Sequence, residues 1–132
     1  MVKRFGLPQS QRLKSRKQID RLFAGGKGFS VFPIRVTYVF SKGEQSGAKI
    51  GVTASKRAFK RATDRNRIKR LLREAYRLQK EDLQAALQAK GVNAAVFFLY
   101  TGKTIPSFQE VKATMAKCLK KLSFLASSED PQ

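Results

Sequence analysis

Lys56-Arg57-Ala58-Phe59-Lys60-Arg61-Ala62-Thr63-Asp64-Arg65-Asn66-Arg67-Ile68-Lys69-Arg70-Leu71-Leu72-Arg73-Glu74-Ala75-Tyr76-Arg77 is the stretch on which the reading of the whole chain turns. Thr63 or Asp64 can cap a helix that runs at least through Leu78, with Gly91 as its latest stop. At about 100° per residue from Arg65, the apolar residues Ile68, Leu71, Leu72, Ala75, Tyr76 and Leu78 fall on one arc of roughly 160°. Arg65, Lys69, Arg73, Asn66, Arg77 and Arg70 occupy a neighbouring arc of roughly 140°. Arg67 and Glu74 lie between the arcs on the far side. One face is built to pack on a sheet and the other to present guanidinium groups, whose planar fork grips a phosphate at two points. A merely solvated helix would carry acidic partners at i±4, because like charges at that spacing destabilise it. Here only Asp64 and Glu74 stand among the basic residues. The helix therefore calls for a polyanion.

The flanks complete the fold class. Ser15-Arg16-Lys17-Gln18 has the capping-box pattern, Ile19, Leu22 and Phe23 follow at helical spacing, and Gly25-Gly26 stop that helix. Residues 31–40 alternate, with Ile34, Val36, Tyr38 and Phe40 on one face and Arg35, Thr37 and Val39 on the other. After a turn at Gly43 to Gly47, Ile50, Val52 and Ala54 alternate with Lys49, Gly51, Thr53 and Ser55. Ala94 to Tyr100 is a continuous apolar run, as expected of a strand buried on both faces. Ser107-Phe108-Gln109-Glu110 is a second capping box, opening a helix with Val111, Met115, Cys118, Leu119 and Leu122 toward the core. The order predicts an α+β sandwich of one sheet against helices. It is read as a single domain: a basic, extended start at 1–14, a globular body at 15–125 and a polar tail at 126–132.

The chain has 132 residues and a net charge of +19, a self-repulsion that a polyanion would relieve. Residues 1–80 hold 22 Lys and Arg against four acids, whereas residues 81–132 hold six against five. The basic surface belongs to the first two-thirds, and the remainder reads as scaffold. There is no His and a single Cys, which excludes imidazole catalysis, a disulfide framework and a thiolate zinc cluster. No apolar run is long enough to cross a bilayer, and residues 1–11 lack the apolar centre of a secretory signal. A cytoplasmic protein is expected.

Ala54-Ser55-Lys56-Arg57 followed by Asp64-Arg65-Asn66-Arg67-Ile68-Lys69-Arg70-Leu71-Leu72-Arg73-Glu74-Ala75-Tyr76 resembles the signature of the bacterial ribonuclease P protein family. Arg12-Leu13-Lys14, with Phe23 and Gly26 downstream, resembles the family's first helix region. The resemblance covers roughly residues 10–125. It implies an αβββαβα two-layer sandwich with a left-handed βαβ crossover, so that the two strands read before residue 56 become three, by a break near Ser41 to Gly47. It also implies a non-catalytic subunit of an endoribonuclease whose RNA, with Mg²⁺, removes the 5′ leader of precursor tRNA.

The resemblance assigns Lys56, Arg57, Arg65, Asn66, Arg67, Lys69, Arg70, Arg73 and Arg77 to the catalytic RNA. It assigns Arg12, Lys14, Ile19, Phe23, Val36 and Tyr38 to a cleft for the single-stranded leader, where aromatic faces suit a strand of varied sequence. No catalytic residue and no protein-held metal or cofactor is expected, the partners are the RNA subunit and the leader, and the protein alone is expected to be monomeric. The family often has Phe where Ile19 stands, and Gly where Phe59 stands in a loop that is here one residue longer.

Other signals carry less. Gly25-Gly26-Lys27-Gly28 has a GxxG spacing, but it leads into a strand rather than joining two helices. Cys118 lies on an apolar stripe, Tyr76 reads as core with a polar tip, and the acids show no metal-gathering spacing. A structural ribosomal protein is the rival reading; it would carry longer basic extensions and lack the Arg-Asn-Arg helix. A stand-alone nuclease is opposed by the missing His and carboxylate cluster, and a DNA-binding regulator by the lack of a partner helix.

Overall fold

The computed structural model describes residues 12–13, 16–42 and 47–128. Its elements are α1 (Arg16–Gly25), β1 (Lys27–Val31), β2 (Ile34–Lys42), β3 (Gly47–Ala54), α2 (Ala62–Gln79), α3 (Glu81–Lys90), β4 (Val92–Tyr100) and α4 (Phe108–Ser128). The four strands form one mixed sheet in the order β1-β2-β4-β3, with β2 and β4 antiparallel and β3 and β4 parallel. The α+β class is as the sequence implies.

The third strand arises elsewhere than expected. The break falls at Phe32-Pro33, not near residues 41–47, and creates β1 ahead of the anticipated first strand. Proline lacks the N–H that a continuous ladder needs. Thr101 secures the turn, its backbone N–H and its hydroxyl both donating to the Pro33 carbonyl at 2.7 and 3.0 Å.

Parity divides the sheet. Ile34, Val36 and Tyr38 of β2, Ala48, Ile50, Val52 and Ala54 of β3, and Val92, Ala94, Val96, Phe98 and Tyr100 of β4 point to one face and are buried. Against them pack Ile68, Leu72, Ala75 and Tyr76 of α2, Leu83 and Leu87 of α3, and Val111, Met115, Cys118, Leu119, Leu122 and Ala126 of α4, in one hydrophobic cluster. Full burial of each large side chain contributes about 1.5–3 kcal/mol. The opposite face is only half covered, by α1, so Ala95, Phe97 and Leu99 of β4 stay partly accessible. The expected sandwich thus gains a third, partial layer, and β4 is fully buried on one face alone.

The long helix is two. It breaks at Lys80, beyond which Glu81 and Asp82 occupy the first turn of α3, where carboxylates complement the helix dipole. Gly91 ends α3 in the left-handed conformation (φ 64°) with its N–H bonded to the Gln88 carbonyl, a position that suits glycine. At α4 the capping box forms: the Glu110 N–H donates to Ser107 Oγ at 3.2 Å and the Ser107 N–H to Glu110 Oε1 at 3.1 Å. The capping box at Ser15, the residue Lys14, most of the basic start and the end of the tail lie outside the described residues.

Candidate nucleic-acid interface

The helix α2 is entered without a side-chain cap; Arg61 holds the N-cap position, and neither Thr63 nor Asp64 serves as cap. Two other devices fix the entry. Phe59 is buried against Tyr100, ring centroids 6.0 Å apart, and its N–H donates to the Ser55 carbonyl at 2.9 Å. Arg65 reaches back so that Nη1 donates to the carbonyls of Phe59 and Lys60 at 2.7 and 2.9 Å. The loop at residues 58–63 is thereby anchored, with Phe59 as its plug. Lys56 and Arg57 stand exposed in the turn between β3 and α2.

Burial along α2 follows the arcs read from the sequence, with two differences. Leu78, at the margin of the apolar arc, is 49% exposed, and Tyr76 is buried completely, hydroxyl included. Burial pushes the Tyr76 hydroxyl pKa upward. On the basic side Asn66, Arg67 and Arg70 are exposed, while Arg65, Lys69, Arg73 and Arg77 are half-buried. Arg77 is held by Glu74 through Nε at 2.8 Å and through Nη2. Arg65 and Arg77 therefore hold protein partners, leaving Asn66, Arg67 and Arg70 to define the outermost surface.

Arg12 joins this surface. Arg12 and Leu13 run along the free edge of β3, bridged to Ile50, with the Leu13 N–H donating to the Ile50 carbonyl at 2.7 Å. Arg12 thus stands near Arg73, whose pKa is lowered by burial, then by Arg12, then by Arg70. The Arg12 Nε is buried without a hydrogen-bond partner among the described residues. Three guanidinium groups converging in this way would gain from a phosphate between them. The β3 edge thus carries Arg12 to the α2 side, and not to the face that α1 covers, where the resemblance would put it.

The second sequence-derived group divides. Ile19 is half-buried on α1, and Phe23, 54% exposed, meets Phe97 edge-on with centroids 5.2 Å apart. Val36 and Tyr38, at 0% and 5% exposure, point into the three-helix core and do not face α1. Strand parity is the reason, since a shift of one residue exchanges the faces. The residues that share the α1 face are Thr37, Val39, Gly51, Phe97 and Leu99, none of which the sequence assigned to the cleft. The usable signal was that the more apolar side of β2 belongs against the larger helix layer.

Among the described residues no group of three or more His, Cys, Asp or Glu could hold a metal ion, and no helix is long and apolar enough to cross a membrane. Cys118 is buried, and burial pushes its thiol up to about 12.

Comparison with known proteins places the chain. The family model described as Ribonuclease P matches residues 7–123. The Ribonuclease P protein component of Porphyromonas gingivalis is 39% identical over 120 residues, covering 90% of this chain and 88% of that protein. Its counterpart from Chlorobaculum tepidum is 35% identical over 126 residues, covering 88% and 82%. In fold, the chain resembles the RNase P protein of Staphylococcus aureus (TM-score 0.65, 20% identity, 84% and 94% covered). It also resembles that of Thermotoga maritima (TM-score 0.61, 24% identity, 83% and 96% covered). With its sequence matched nearly from end to end, the chain belongs to the bacterial ribonuclease P protein family, the RNA-binding protein subunits of the endoribonuclease that matures the 5′ end of tRNA.

Proposed function

We propose that this subunit docks the RNA of the holoenzyme on the exposed face of α2 and holds the 5′ leader of precursor tRNA between α1 and the sheet. The segregation of α2 carries the first half: Ile68, Leu72, Ala75 and Tyr76 are fully buried while Asn66, Arg67 and Arg70 are exposed. Phosphates would sit among Lys56, Arg57, Arg67, Lys69 and Arg70 and between Arg12 and Arg73, with Arg65 and Arg77 chiefly ordering the surface. The half-exposed Phe23–Phe97 pair supports the second half, because an aromatic platform accepts any base by stacking. Ile19, Thr37 and Leu99 complete that cleft in this reading. Catalysis and its Mg²⁺ belong to the RNA. The chain acts in the cytoplasm as a monomeric single domain, and the connection from β3 to β4 has the left-handed sense of the family.

The test compares binding of precursor tRNA with and without its leader to the reconstituted holoenzyme. Phe97→Ala should weaken the leader-bearing substrate by about 1–3 kcal/mol and leave the leaderless one unchanged. Equal losses for both would show that the pair only supports the fold.

A further inference from the structure

Although the last third of the chain is almost neutral, its helix α4 is not. It carries Lys112, Lys117, Lys120 and Lys121 against the single acid Glu110, which is engaged in the capping box with Ser107. Its core side is occupied by Val111, Met115, Cys118, Leu119, Leu122 and Ala126. Facing away from that side are Lys117, Lys120, Lys121 and Phe124, all exposed, within an arc of roughly 100°. Phe124 is 68% exposed. Lys121 also lies over the ring of Phe29 on β1, its Nζ 4.8 Å from the centroid, so a second ring adjoins the same patch. α4 packs against α2 and over β1 and β2, so the patch lies on a different helix from the Arg-Asn-Arg surface.

We propose that this face of α4 is a second RNA-binding surface, on which an unpaired base stacks against Phe124 while neighbouring phosphates meet Lys117, Lys120 and Lys121. The combination of a ring presented to solvent and ammonium groups flanking it supplies both elements of single-strand recognition. From Lys117 to Phe124 the helix rises about 10 Å, comparable to three stacked nucleotides at about 3.4 Å each. A lipid surface fits less well, because an interfacial helix presents a broad face of bulky apolar residues, whereas along the helix Phe124 is flanked by Lys120, Lys121 and Ser127. An acidic protein partner would use the lysines but gives the exposed ring no comparable role. The proposal shares with the preceding section the premise that the chain works on RNA, and is independent of how α2 docks.

The test uses the full chain and a fluorescein-labelled uridine dodecamer, read by anisotropy. Phe124→Ala should weaken binding about fivefold to a hundredfold. Phe124→Leu, which keeps an apolar side chain and loses the ring face, should weaken it comparably. Changing Lys117, Lys120 and Lys121 to Gln should lower the slope of log affinity against log salt by about 2. A dodecamer containing 4-thiouridine should cross-link to the tryptic peptide that begins after Lys121 and contains Phe124. All of these effects should persist when Arg67 and Arg70 are changed to Gln, which separates this surface from α2. Circular dichroism should show unchanged melting, the ring being exposed. Full binding by Phe124→Leu, or cross-links confined to α1 and α2, would overturn the proposal. So would loss of binding to phosphatidylserine vesicles on Phe124→Ala with dodecamer binding intact.

Discussion

Gly51 lies mid-strand in β3 on the face that α1 covers, and a methyl group added there would stand 2.6 and 2.7 Å from Cδ1 and Cε1 of the Phe97 ring. Contacts that short cannot persist, and the ring already packs against Phe23, edge to face with centroids 5.2 Å apart. Leu13 Cβ, 3.6 Å from the same point, closes a third direction. Gly51 does not have positive φ, so Ala is compatible with the strand backbone and by restricting the unfolded chain would add about 0.4–1 kcal/mol of stability. Overpacking costs about 1–3 kcal/mol. At the middle of both ranges the balance for Gly51→Ala is a net loss of about 1.3 kcal/mol, lowering the melting midpoint by about 3–10 °C. Calorimetry measures the midpoint, and binding of leader-bearing and leaderless precursor tRNA measures the displaced ring. Only the leader-bearing substrate should lose affinity. Phe97→Leu in the same chain removes Cε1 and leaves δ-methyls that can rotate away from residue 51, so the double variant should be more stable than the sum of the single effects. A Gly51→Ala protein as stable as the parent, or strict additivity with Phe97→Leu, would refute the assignment of Phe97 to this face.

Three other outcomes are expected. Tyr38→Ala should cost about 3–5 kcal/mol in stability by emptying a core site, whereas Thr37→Ala should leave the melting midpoint nearly unchanged and alter leader affinity; chemical denaturation separates the two. Arg65→Ala should destabilise by about 1–3 kcal/mol, because the Phe59 and Lys60 carbonyls lose a charged donor, while Arg67→Gln should leave stability alone and reduce the salt slope for the RNA subunit by about 0.9. The Cys118 thiol, raised from 9.0 to about 12 by burial, favours its neutral form in the fold; that contribution is intact below about 9 and is lost as pH rises toward 12. Iodoacetamide at pH 8 should accordingly label the folded chain far more slowly than the urea-unfolded one, as mass spectrometry would show.

What the sequence disclosed, it disclosed where one pattern had one explanation. The two arcs of α2, the Ser107–Glu110 box and the Gly91 stop each follow from local chemistry, and the structure contains them. The β2 alternation was equally visible, but both faces of the sheet receive a helix, and choosing which face meets α1 is a choice of odd or even residues. Expecting Val36 and Tyr38 beside α1 took one parity where the structure has the other, and Phe97 stayed hidden because a continuous apolar run carries no parity. The break at Lys80 lacks any Gly or Pro; the acids Glu81 and Asp82 were its only mark. Arg12 could not be placed on the α2 side from the sequence, because its position depends on a backbone pairing with β3 some forty residues away in the chain. The helix α4 was read through its apolar stripe and the near-neutral total beyond residue 80, which concealed how its lysines gather around Phe124.

Cleavage of precursor tRNA shows whether this subunit acts by binding RNA through α2 while the RNA performs the chemistry. A bacterial ribonuclease P RNA at limiting Mg²⁺ would be assayed alone, with this chain, with the Arg67→Gln/Arg70→Gln variant, and the chain would be assayed without RNA. Cleavage at the mature 5′ end should depend on combining RNA and protein, be weakened in the variant and be absent for the protein alone. Cleavage by the protein alone, or full stimulation by the variant at every salt concentration, would contradict that division of roles.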